Sequence, residues 1–150
     1  TDESELQGWF SIFQIVMTTR GLLRHNGAMT QATPAVAPGA QDQAWAVTAD
    51  KVEDVVNRLV AAASPLRLIA FGSAAHGELA AANDLDLLVV EHEITSRYSE
   101  TVRLLQALRG VLMSVDLVVT SQARFVERSR IPGTLEYAAH REGRVLHDSL

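Results

Sequence analysis

The sequence predicts an α/β domain, and three observations carry that prediction. Segments with apolar residues at helical spacing alternate with short, nearly continuous apolar runs. The runs Leu66–Phe71, Leu85–Val90 and Val115–Val119 have the length of buried strands. Thr48, Ser121 and Thr134 each stand where a helix start needs a side-chain acceptor. The 150 residues suffice for one domain with a real core, and 47% apolar against 21% charged residues marks a globular chain.

The regular part begins at Thr48. Thr48 caps a helix running to about Ala63, with Asp50 in its first turn and Val52, Val55, Val56, Leu59 and Val60 on one face. Ser64-Pro65 ends it, because the residue before a proline is pushed out of the helical region. Leu66 to Phe71 is the first strand, and Gly72-Ser73 the turn leaving it. Residues 74–82, alanine-rich, form a short helix or turn before the second strand, Leu85 to Val90. Tyr98 to Leu108 is helical, with Val102, Leu104, Leu105 and Leu108 in phase and Gly110 able to end it. Val115 to Val119 is the third strand. Ser121 caps a helix through about Glu127 and Thr134 a last one through Arg141, with Gly143 past its end and Arg144 to Leu146 closing as a short strand.

Ahead of this lie residues 1–47, read as an extension and linker, disordered or foreign to the native chain. Residues 30–44 hold Pro34, Pro38 and Gly39 and little that could anchor a core. Residues 5–24 could form a short helix with Leu6, Phe10, Phe13, Val16 and Met17 near one face, and Met29 opens a start of its own. No functional reading rests on residues 1–28.

Composition excludes several classes. The chain has no cysteine, so disulfide frameworks and thiolate zinc sites are ruled out. Its net charge of −5 argues against a broad nucleic-acid surface, and no direct nucleic-acid binding is expected. The apolar run Trp9 to Val16 is far shorter than the roughly 20 residues of a membrane span, and Asp2, Glu3 and Glu5 are the wrong flank for a secretory signal. A cytoplasmic protein that does not engage membranes is the expectation.

The chemistry concentrates between Ala70 and Val90. A Gly72-Ser73 pair leaves one apolar run, and ten residues later Asp84-x-Asp86 heads the next. Carboxylates at i and i+2 of a strand share one face, roughly 7 Å apart along the chain. That pairing suits a hard cation such as Mg²⁺. Glycine lets a backbone approach an anion, and serine adds a hydroxyl donor. Asp116 is a lone carboxylate in an otherwise apolar strand, so it should face solvent, a cation or a hydrogen-bond network. If the two strands are neighbours, three carboxylates converge on one site and need divalent metal to balance their charge.

With those residues in place, the chain resembles the nucleotidyltransferase superfamily with the polymerase-β-like core, and in size its minimal members, the MNT proteins. The resemblance spans about residues 48–148. It includes Gly133-Thr134-Leu135 and the run Arg141-Glu142-Gly143-Arg144-Val145-Leu146. It implies a small mixed sheet flanked by helices. It further implies that Gly72 and Ser73 hold the β- and γ-phosphates of a nucleoside triphosphate and that Asp84 and Asp86 bind Mg²⁺. Asp116 would bind a second Mg²⁺ and help activate the acceptor hydroxyl. Family members often carry arginine just after the Gly-Ser pair, where this chain has Ala74, Ala75 and His76 before Gly77. Protonated His76 can replace the missing guanidinium only in part, since its ordinary pKa is about 6.5. Lys51 and Arg67 are too distant in sequence to assign.

Plainer readings stand beside these. Asp84 and Asp86 could simply open an exposed strand, and Asp116 could be a satisfied structural carboxylate. His76 suits a site rim better than a catalytic base. Glu91-His92-Glu93 reads as a solvated turn after a strand. His140 and His147 read as surface residues, and Arg124, Arg128 and Arg130 as a solvated helix face.

The resemblance implies transfer of a nucleoside monophosphate, AMP from ATP, to a hydroxyl. For a small stand-alone member that hydroxyl is a tyrosine of a co-encoded HEPN-type toxin, with the present chain as antitoxin. Two alternatives remain open: a non-catalytic module that neutralises such a partner by surface contact, and transfer to a small molecule such as an aminoglycoside.

Overall fold

Four helices among the described residues start on a hydroxyl. In the computed structural model, which describes residues 44–76 and 82–150, helix α1 (Ala49–Ala63) is capped by Thr48, whose side chain accepts from the Lys51 amide. Helix α2 (Arg97–Ala107) is capped by Ser96, α3 (Gln122–Arg128) by Ser121 and α4 (Leu135–Glu142) by Thr134, which accepts from Tyr137 at 3.1 Å. Each hydroxyl satisfies one of the amides that a first turn leaves without a partner. Ser96 is the cap not singled out in the sequence. At the other end of α1, Ser64 adopts a left-handed conformation with φ 45° before Pro65 and stops the helix.

The strands are β1 (Arg67–Phe71), β2 (Leu85–Glu91), β3 (Val115–Ser121) and β4 (Arg144–Asp148). They form one mixed sheet in the order β3-β2-β1-β4. β1 is antiparallel to both β2 and β4, whereas β2 and β3 run parallel with α2 as their crossover. The expected α/β fold with a small mixed sheet and flanking helices is therefore the one observed. β3 and β4 each run two residues beyond the stretch expected from apolar content, because ladder pairing continues through polar residues. Residues 74–82 were expected to form a short helix or turn. Gly72–Ala74 is a single 3₁₀ turn, and residues 77–81 lie outside the described residues.

Alternation along the strands divides the core in two. Leu68, Ala70, Leu85, Leu87, Val89, Leu117 and Val119 pack against α1 and α2. Ile69, Phe71, Leu88 and Val90 pack on the other face against Phe125 of α3 and Ala139 of α4. A sheet covered on both faces explains why the strand sequences read as continuous apolar runs. Val47 is also fully buried in the first core. The chain divides into two units, Thr1–Val36 and Ala37–Leu150, and the described residues all belong to the second. Of the extension and linker read over residues 1–47, residues 1–43, with the helix read over 5–24, lie outside the described residues.

Helices α1 and α2 cap each other. Arg58 of α1 donates to the Arg109 carbonyl at 2.9 Å, just past α2. Arg103 of α2 donates to the Ala62 carbonyl of α1 at 2.6 Å. Each guanidinium supplies donors to the carbonyl end of the neighbouring helix. Lys51 is committed in the same way, its ammonium donating to the carbonyls of Ala44, Ala46 and Leu112.

Candidate active site

The ladder brings the predicted carboxylates together two at a time. Phe71 of β1 pairs with Asp86 of β2, and Asp86 pairs with Asp116 of β3. The three residues form one row across the sheet. Residues in register on adjacent strands point to the same face about 4.8 Å apart. Asp86 and Asp116 therefore share the α3–α4 face, at the end of the apolar patch formed by Leu88, Val90 and Val118. Asp86 is half-buried and Asp116 exposed. Asp84, half-buried, lies two residues before Asp86, just ahead of the strand.

Gly72 joins the Gly-Ser turn to this row. It has φ +66°, a conformation that side chains disfavour. A Cβ placed there would stand 2.8 Å from Asp86 Oδ2. The backbone of the Gly-Ser turn thus lies directly against the Asp86 carboxylate. Ser73 is exposed on the 3₁₀ turn, and the Ala75 amide closes the turn by donating to the Gly72 carbonyl at 3.2 Å. Ala74 is fully buried in the α1–α2 core.

His76 faces a carboxylate. Its Nε2 lies 3.4 Å from Glu142 Oε2, at the end of α4, with both side chains largely exposed. Arg67 is occupied by Asp148 at 3.1 Å. Among the described residues, no group of three His, Cys, Asp or Glu side chains is gathered to hold a metal ion. The site offers a cross-strand pair of hard oxygen donors, with a third carboxylate two residues before one of them. This donor chemistry fits Mg²⁺, which keeps several waters and takes only one or two carboxylates from the protein.

Two buried acids escaped sequence reasoning. Glu136 is 4% exposed and lies between Arg124, at 3.6 Å, and Arg128, at 3.1 Å. These arginines were expected on a solvated face, and instead they tie α3 to α4. Glu91 was expected in a solvated turn with His92 and Glu93. The latter two are exposed, but Glu91 is 9% exposed at the end of β2. The signal that could have found it was parity: Glu91 continues the series Leu85, Leu87, Val89, which faces the core.

The mixed sheet with helices on both faces defines the α/β class of the domain. Residues 49–142 match the family model described as nucleotidyltransferase domain, and the chain belongs to that family. The crystal structure of a candidate nucleotidyltransferase from Sulfolobus solfataricus is similar at 15% identity and a TM-score of 0.48, covering 77% of this chain and 93% of that one. No curated protein matches the sequence. No helix among the described residues is long and apolar enough to cross a membrane.

Proposed function

We propose that this nucleotidyltransferase transfers AMP from ATP to a tyrosine hydroxyl of a HEPN-type toxin protein, and so acts as an antitoxin. The observation that carries the transfer chemistry is the contact of the Gly72 turn with Asp86, which itself stands in register with Asp116. A turn that can hold phosphates and a carboxylate pair are thereby fixed in one place. Two Mg²⁺ ions, held by Asp84, Asp86 and Asp116, would neutralise the triphosphate and stabilise the attacking and leaving oxygens. Gly72 lets the backbone approach the β- and γ-phosphates, Ser73 donates its hydroxyl to them, and His76 stands at the rim. The acceptor oxygen forms a bond to the α-phosphorus in line with the bond that breaks, and pyrophosphate leaves with that electron pair. Asp116, the more exposed carboxylate of the pair, accepts the hydroxyl proton.

A macromolecular acceptor is the first reading, and transfer to a small molecule such as an aminoglycoside is its alternative. The second reading is a module that neutralises its partner by contact alone. One experiment separates them. The chain is incubated with each labelled triphosphate, Mg²⁺ and the co-encoded helical protein, and both proteins are weighed by mass spectrometry. A gain of one AMP on a partner tyrosine supports transfer. A tight complex with unmodified partner supports the binding module.

A further inference from the structure

Strand β2 carries Asp86 near one end and, at the other, an acid that the transfer chemistry does not use. Glu91 lies on the face opposite Asp86, in line with Leu85, Leu87 and Val89 beneath α1 and α2. It is 9% exposed, and its Oε1 has no hydrogen-bond partner. From α2 it is faced by Glu100 and Arg103. Arg103 holds the Glu100 carboxylate through Nε at 3.0 and 3.2 Å, and also through Nη2. The same guanidinium donates to the Ala62 carbonyl in the last turn of α1. From β3 the register partner is the neutral Ser121. On β1, Arg67 pairs with Asp148. His92 and Glu93, next in the chain, are exposed, and Arg97 lies one turn ahead of Glu100 on α2.

Two carboxyl groups hydrogen-bond to one another only if one carries a proton. Arg103 decides which one. It hydrogen-bonds Glu100 and holds that carboxyl below its ordinary range, ionised. Burial and the adjacent Glu100 push Glu91 up to about 7. The Glu91 hydroxyl then donates to the Glu100 carboxylate.

We infer that Glu91, Glu100 and Arg103 form a proton-dependent latch that fastens α2 to the end of β2 and to the last turn of α1. With the proton on Glu91, the chain Glu91–Glu100–Arg103–Ala62 is continuous. Without it, two carboxylates share one guanidinium in a half-dry site, and α2 loosens. Helix α2 is the crossover between β2 and β3, the strands that carry Asp86 and Asp116. Loosening it bears on the one connection between those strands. This inference does not depend on which acceptor the protein uses.

Hydrogen exchange of the α2 amides, corrected for the intrinsic pH dependence of exchange, tests the latch on the full chain. Linkage between a pKa near 7 when latched and 4.5 when open predicts about tenfold more frequent opening at pH 8 than at pH 6. Glu91→Gln is neutral at every pH and still donates to Glu100, so its α2 opening should be the same at both pH values. A wild type with pH-independent opening, or a variant with the full tenfold change, overturns the latch. Should the variant fail to fold, the Glu91 side-chain carboxyl carbon is titrated by NMR in the wild type. A midpoint near 7 sustains the proposal, and one near 4.5 sinks it.

Discussion

The Asp86 carboxylate occupies the space that a side chain on Gly72 would fill, with Oδ2 2.8 Å from the position of a Cβ there. Glycine is required twice over, by that approach and by φ +66°. Gly72→Ala should therefore displace the carboxylate or the turn and cost about 1–3 kcal/mol of stability. Transfer should fall further than the stability loss explains, at a temperature where the variant is still folded. Thermal melts and transfer assays on one preparation would show this. Unchanged transfer would mean that the turn and Asp86 act independently.

Asp86 and Asp116, paired across β2 and β3, face one another as like charges. Replacing either by asparagine keeps shape and removes a charged ligand. Asp86→Asn should reduce transfer by more than 100-fold while leaving the melting temperature of the metal-free protein unchanged or slightly raised, through relief of repulsion. Ser73→Ala should do less damage, since a hydrogen bond to a charged phosphate contributes about 1.5–3 kcal/mol. Calorimetry with ATP should show binding with Mg²⁺ and little in chelator. Equal affinity in both conditions would remove the metal from the site.

Much of this was legible in the sequence. The strand runs, three of the four caps and the Gly-Ser to Asp-x-Asp spacing are local patterns, and local patterns fix local structure. The meeting of Asp86 with Asp116 was conditional on the strands being neighbours, and only the ladder decides that. Arg124 and Arg128 were misread, and Glu136 was missed, because their pairing joins two helices through tertiary packing. Glu91 was misread because it follows the last apolar residue of β2. Its parity with Leu85, Leu87 and Val89 points it to the core face, but its burial also needs α2 folding back over the strand end.

His76 and Glu142 give a charge-dependent contact at the rim of the site. An arginine introduced at 76 would meet Glu142 before it meets a phosphate. His76→Arg alone should thus leave ATP affinity at pH 8 within about twofold of wild type, as expected for an exposed ion pair of small net effect. The double variant His76→Arg with Glu142→Gln frees the guanidinium, and its affinity should rise by about tenfold. Equal binding by the single and double variants would show that residue 76 does not reach the triphosphate.

The pH dependence of stability should carry the mark of Glu91. Its pKa is about 7 in the folded protein and 4.5 when unfolded, so the fold binds the proton more tightly. The resulting stabilisation is fully present below 4.5 and is lost as pH rises through 7. Glu100, held low by Arg103, acts in the opposite sense and loses its contribution only as pH falls below 4.5. Between pH 5 and 7.5 the Glu91 effect should dominate. The urea midpoint of the wild type should fall across that range relative to Glu91→Gln, which shares every histidine with it. Parallel curves for the two proteins would assign the pH dependence to other groups.

Gly143 sets the last test, because it joins α4 to β4 against the strand that leads into the site. Its φ of −71° is ordinary, so its need for glycine is not conformational. An added Cβ would lie 2.2 Å from the Ala139 carbonyl oxygen and 2.5 Å from Ile69 Cγ2. The first obstacle is backbone within α4, where the Gly143 amide donates to that same carbonyl at 2.9 Å. The second is a β1 side chain 2% exposed in the core. Neither can yield without moving a helix end or a strand. Gly143→Ala should cost at least about 2 kcal/mol, in the range of overpacked cores. Ile69→Ala in the same chain should not rescue it, since the carbonyl contact remains and a cavity is added. Urea denaturation of the two single variants and the double variant decides the matter. Losses that simply add place the obstacle at the carbonyl. Recovery in the double variant would place it at Ile69 and show that the end of α4 can shift.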